Sequence, residues 1–169
     1  VTLNSAFLRP RSRGTVRLQS ADPAAIPLID PNYWADHYDR EMSLKGLRIA
    51  REIMKQKSLA RYVMREVLPG DKLQTDDELF DYACRSSKTD HHPVGTCKMG
   101  HDPMAVVTPD LRLRGIQNLR VCDASVMPRV PSSNTNAPTI MVGEKGADLI
   151  LGVPPLPPAV FEGNKSAAA

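Results

Sequence analysis

His91-His92-Pro93-Val94-Gly95-Thr96-Cys97-Lys98-Met99-Gly100 is followed, some thirty residues on, by Ser132-Ser133-Asn134-Thr135-Asn136-Ala137-Pro138-Thr139. The first stretch cannot be one uninterrupted helix. Pro93 biases His92 to extended backbone, and Gly95 lets main chain approach closely. The second piles short polar side chains onto the start of an apolar segment, which is the pattern of a helix N-terminus. Imidazole, with an ordinary pKa of about 6.5, suits a base near neutral pH. Free backbone N–H groups at a helix start, with the dipole behind them, stabilise an anion or an electron-rich carbonyl. An Asn carboxamide placed there can also donate to an alcohol oxygen. Together the two stretches predict a histidine base and an amide donor converging on a ligand. The plain alternatives are a structural histidine and a capped loop.

Outward from these stretches the hydrophobic period changes twice. Upstream, Ser12-Arg13-Gly14 supplies a turn and Thr15-Val16-Arg17-Leu18 alternates like a strand; Pro23 to Pro31 continues extended. Leu44, Leu47, Ala50, Ile53 and Met54 form a stripe at helical spacing. Ser58 to Leu68 reads as a second helical segment stopped by Pro69-Gly70. A third helix starts at Thr75, where Thr75-Asp76-Asp77-Glu78 is a capping box and Leu79, Phe80, Tyr82 and Ala83 give a buried side. After the histidines, Ala105–Val107, Leu111–Arg114 and Leu119–Cys122 read as short strands. Asp123-Ala124-Ser125 closes the last of them, and a carboxylate at a strand's end is well placed to cap a turn or to meet ligand hydroxyls. A final helix is expected from about Pro138 to Ile150, with Pro in its first turn, where a missing N–H costs nothing.

Composition narrows the function. The 169 residues carry 41% apolar and 24% charged side chains, as in a globular protein. A net charge of +3 without basic blocks, and aromatics at 5%, give nucleic-acid binding no support. No apolar run is long enough for a membrane span. Three widely spaced cysteines, Cys84, Cys97 and Cys122, do not make a disulfide framework and favour a reducing compartment such as the cytoplasm, although localisation stays open. The opening Val1 suggests a fragment or processed chain. Cys84, His91, His92, Cys97 and His101 could each ligate a metal, but no C-x-x-C or H-x-x-x-H spacing joins them, so no metal site is expected.

Four strings in order, HPVGTCKMG (92–100), LRVCDASVMP (119–128), SSNTNAPT (132–139) and MVGEKGADLI (141–150), resemble the C-terminal signature of the glucose–methanol–choline (GMC) oxidoreductases, flavoenzymes that use FAD. The upstream stretch SRGTVRLQSADPAAIPLIDPNY (12–33) is similar to strands of that family's substrate domain, so the resemblance covers roughly residues 8–151. It implies an α/β fold fragment containing parts of the substrate-binding domain and of the Rossmann-like FAD-binding domain. Residues 1–90 would belong to the former, 91–152 would carry the active-site motif and the closing segment of the latter, and 153–169 would be a Pro-rich tail. His92 matches the active-site histidine that takes the alcohol proton while hydride passes to flavin N5. Asn134 matches the second active-site position, in the form similar to the choline and alcohol dehydrogenase branch. Asp123 and Ala124 match the segment along the ribityl–phosphate part of FAD, and Thr135 and Asn136 the backbone N–H groups at the pyrimidine end.

The Gly-rich ADP-binding fingerprint of the family, G-x-G-x-x-G, is absent from these residues. The resemblance therefore implies a partner: the missing N-terminal FAD-binding portion, on the same protein or a second chain. Alone, the chain is expected to expose apolar surface, to bind FAD weakly or not at all, and to be inactive. His91 stands where the family commonly has an aromatic. Alternatives are a hydroxynitrile lyase-like, non-redox member using His92 as proton carrier, and a zinc-binding module.

Overall fold

Thr15–Arg17 (β1) pairs antiparallel with Leu28–Asp30 (β2), Val16 facing Ile29 at the centre of the register. The computed structural model describes residues 1–154 and 156–159; the expected tail 153–169 thus lies mostly outside the described residues. Both strands are exposed throughout, and Val16, Leu18, Ile26, Leu28 and Ile29 all face solvent. Two short strands alone bury too little to be stable by themselves. Their anchor is the next element.

That element is α1, His37–Met54, capped by the Asp36 carboxylate on Tyr38 N–H. Asp39, in its first turn, is 1% exposed. Its carboxylate accepts from the backbone N–H groups of Arg11 and Ser12, both at 2.8 Å, and from the Ser12 hydroxyl. The segment leading into β1 is thereby tied to the helix. Burial pushes the Asp39 carboxyl up, but the Arg11 N–H, the Ser12 hydroxyl and the Ser12 N–H together hold it below the usual carboxylate range.

Helix α3, Asp76–Ser86, begins with both halves of the expected capping box in place, and Leu79 and Ala83 bury its inner side. It lies against α1 at Leu44, with the Trp34 ring edge-on to Phe80 at 5.6 Å. The segment between departs from expectation. Only Lys57–Ala60 (α2) is helical. Tyr62, Met64, Val67 and Leu68 stay exposed, so no buried face rewards further turns. Glu66 is instead drawn to Arg51, whose guanidinium also donates to the carbonyls of Gly70 and Leu73.

The three strands expected between 105 and 122 do not form a sheet. They meet through single bridges, Met99 with Val107, Val107 with Leu113, and Arg112 with Arg120. Left-handed backbone at Leu111 (φ 66), Gly115 (φ 79) and Asn118 (φ 59) turns the chain every few residues, too often for a ladder. These loops nonetheless enclose the main core of Val107, Leu111, Val126 and Val142, with Met99, Val121, Cys122 and Leu149 packed around it.

Val142 and Leu149 come from α4, Asn136–Leu151, which ends at Gly152 in the left-handed conformation common at helix C-termini. It starts two residues earlier than expected. Its close seating depends on Gly146: a Cβ there would stand 2.5 Å from Cys122 Sγ. Ile140, Met141, Ile150 and Leu151 of α4 are among the exposed apolar residues, so this helix buries only one side within the chain.

Candidate functional site

The histidine stretch is laced to a short 3-10 turn, Ala124–Val126. Gly95 and Cys97 both donate their backbone N–H to the Ser125 carbonyl at 3.0 Å, and Met99 donates to the Val126 carbonyl at 2.8 Å. Gly95 adopts φ +91, a conformation in which a side chain is strained, and this bend lets two N–H groups reach one carbonyl. Asp123 organises the turn from its N-terminus, its Oδ1 accepting from Ser125 N–H at 2.7 Å. Two of the sequence strings thus become neighbours through main-chain bonds.

The third string joins through a side chain. His92 Nδ1 lies 2.6 Å from the Thr135 hydroxyl oxygen. Thr135 is only 7% exposed, whereas Asn134 and Asn136 on either side are exposed. The Thr135 N–H also points at the same ring nitrogen, a long donor contact at 3.5 Å. His92 Nε2 has no hydrogen-bond partner among the described residues, and the half-buried ring leaves that nitrogen available to a ligand.

Thr135 precedes α4 with helical dihedrals (φ −76, ψ −11), and no side chain caps the helix. No acidic side chain occupies the first turn either. The N–H groups of the first turn therefore have no side-chain cap, and the helix dipole lies behind them. Such a terminus fits an anion or an electron-rich carbonyl. The exposed Asp123 carboxylate, with one oxygen on Ser125 and the other without a partner among the described residues, fits a hydroxyl-bearing chain beside it.

Of the residues singled out by sequence, the fold joins His92 directly to Thr135, and through the Ser125 carbonyl to the turn of Asp123 and Ala124. Asn134 and Asn136 flank Thr135. The Thr135 side chain is the feature that sequence reasoning missed, having assigned this residue through its backbone N–H alone. His91 is exposed and takes left-handed backbone (φ 59), its N–H on the Thr89 hydroxyl. Farther along, Lys98 donates to Asp102 at 2.8 Å and holds that carboxyl below its usual range. Among the described residues, no three His, Cys, Asp or Glu side chains gather as a metal set, and no helix is long and apolar enough to cross a membrane.

The family model described as GMC oxidoreductase matches residues 10–143. This chain belongs to the GMC oxidoreductase family. It is 46% identical over 150 residues to an alcohol dehydrogenase [acceptor] of Pseudomonas putida, covering 89% of this chain and 27% of that protein. It is 49% identical over 150 residues, with the same coverage, to an oxygen-dependent choline dehydrogenase of Klebsiella pneumoniae. Among solved structures, pyridoxine 4-oxidase from Mesorbium loti superposes with a TM-score of 0.81 at 38% identity, covering 86% of this chain and 28% of that one. A formate oxidase of Aspergillus oryzae RIB40, solved in connection with FAD modification, gives 0.76 at 32% identity over 86% of this chain and 26% of its own. The GMC chain described here spans about a quarter of the length of these relatives, and its mixed α/β fold corresponds to part of theirs.

Proposed function

We propose that this chain supplies the proton-accepting side of an FAD-dependent enzyme that oxidises a primary or secondary alcohol. FAD, when bound, contributes the ring nitrogen that receives the hydride. His92 Nε2 takes the hydroxyl proton, which makes the carbinol carbon a better hydride donor; a positioned base contributes about 10² to 10⁴ in rate. The Asn134 carboxamide donates to the same oxygen and orients it. Asp123 and the Ala124 backbone lie along the ribityl–phosphate chain. The backbone N–H groups at Thr135 and Asn136 stabilise negative charge at the pyrimidine edge.

One observation carries this reading. His92 is held through Nδ1 at the uncapped start of α4, and its other nitrogen has no partner among the described residues. Residues 1–90 are assigned to the substrate-binding side and 91–152 to the flavin-binding side, in line with a core cluster of Val107, Leu111, Val126 and Val142 that lies wholly within the latter. The exposed apolar faces of β1, β2 and α4 are the surfaces that the remainder of such an enzyme would cover. The activity belongs to the assembled protein, and this chain alone is inactive.

The test is alcohol-dependent bleaching of bound flavin in holoenzyme containing this chain, compared with its His92→Ala variant. Loss of bleaching in the variant, with flavin retained, supports the reading. Flavin that no alcohol bleaches, with cleavage of a cyanohydrin instead, establishes the non-redox chemistry. Stoichiometric zinc with unfolding by a chelator establishes the metal module.

A further inference from the structure

We infer that Thr135 is the positioning residue for His92. Its hydroxyl oxygen accepts Nδ1–H and holds the imidazole in the tautomer whose Nε2 lone pair is free. For the reaction, this inference rests on the reading of His92 as base given above.

A threonine at a helix start ordinarily turns its hydroxyl onto the N–H groups of the first turn. Thr135 does not: α4 has no side-chain cap, and the Thr135 Oγ1 stands 2.6 Å from His92 Nδ1. Its backbone carbonyl is already occupied by the N–H of Thr139 at 2.9 Å and the Thr139 hydroxyl at 2.6 Å. The residue is fixed at both ends, 7% exposed, and its hydroxyl has the imidazole as its partner.

Two proton arrangements fit that distance. In one, the hydroxyl donates to Nδ1, which puts the ring proton on Nε2 and leaves no lone pair to receive a substrate proton. In the other, Nδ1–H donates to the hydroxyl oxygen and Nε2 is the acceptor. Both nitrogens of an imidazolium are donors. The second arrangement therefore persists unchanged when Nε2 takes a proton, whereas the first must break its bond and turn the hydroxyl. The Thr135 N–H also points at Nδ1, but at 3.5 Å it lies at the long end of a hydrogen bond and weighs little against that gain.

Thr135→Val removes the hydroxyl at nearly constant volume, and Thr135→Ser keeps it. The imidazole ¹⁵N shifts of His92, read in holoenzyme containing this chain with the ring neutral, report the tautomer without reference to activity. The wild type and Thr135→Ser should show a protonated Nδ1 and an unprotonated Nε2. Thr135→Val should shift the ratio toward Nε2–H by about tenfold, the change that one ordinary hydrogen bond sets. A wild-type ring already protonated at Nε2, or an unchanged ratio in Thr135→Val, overturns the assignment. In holoenzyme, Thr135→Val should slow flavin bleaching by about tenfold at saturating alcohol, with unchanged alcohol affinity and recovery in Thr135→Ser. Equal losses in Val and Ser, or a loss confined to affinity, overturn the positioning role. A His92→Ala holoenzyme that bleaches at the wild-type rate overturns the alcohol reading, while the tautomer result stands by itself.

Discussion

Gly146→Ala should destabilise the protein, against the rule that alanine is the better helix former. A Cβ at Gly146 would lie 2.5 Å from Cys122 Sγ and 2.8 Å from Cys122 Cβ. Carbon contacts settle at about 3.5–4.0 Å, so α4 has to retreat by roughly 1 Å from the core formed by Val107, Leu111 and Val126. Overpacking of this kind costs about 1–3 kcal/mol, and the shortfall falls on two atoms of a short side chain that cannot swing away. The gain in helix propensity offsets about 1 kcal/mol. The net loss expected is therefore up to about 2 kcal/mol. Gly143, three residues earlier in the same helix, has nothing within 4 Å of its Cβ position. Gly143→Ala should stabilise by about 0.5–1 kcal/mol. Urea titrations of the two variants should move in opposite directions from the wild-type midpoint, with unchanged slopes. A gain in stability for Gly146→Ala equal to that of Gly143→Ala would refute the close seating of α4 on Cys122.

Two more perturbations test the frame around the site. Asp39→Asn should cost about 2–3 kcal/mol at neutral pH, because three donors lose a buried carboxylate. The folded carboxyl lies below its unfolded value of about 3.9, so its contribution is complete above that value and drains away as pH falls through the lower folded one. Acid-unfolding curves of wild type and Asp39→Asn should accordingly converge at the acid end. Thr75→Ala should remove the hydroxyl half of the α3 capping box at a cost of about 1 kcal/mol, seen as faster amide exchange at Glu78 than in the wild type.

Local chemistry was the legible part of this fold. The Thr75–Glu78 box was readable because its two hydrogen bonds close within four residues. The start of α4 was readable to within two residues because Pro138 and the polar run before it have few other uses. The strands between 105 and 122 were misread because non-glycine residues, Leu111 and Asn118, occupy left-handed backbone that composition does not announce. The segment after Ser58 was misread because its apolar residues suit a helix, yet Tyr62, Met64, Val67 and Leu68 stay exposed. Asp39 resembles an ordinary acidic residue in a first helical turn, and only the fold brings Arg11 and Ser12 onto it. In the site, His92 and Asn134 carried a chemical signature in their neighbours. The Thr135 hydroxyl carried none, because its partner lies 43 residues away and the bond exists only after α4 has docked.

The most direct test of the account is the rate of alcohol-dependent flavin bleaching in oxygen-free holoenzyme, wild type against His92→Ala. The account predicts bleaching in the wild type and a loss of about 10²- to 10⁴-fold in the variant, with the flavin still bound. Bleaching of His92→Ala at the wild-type rate would contradict it.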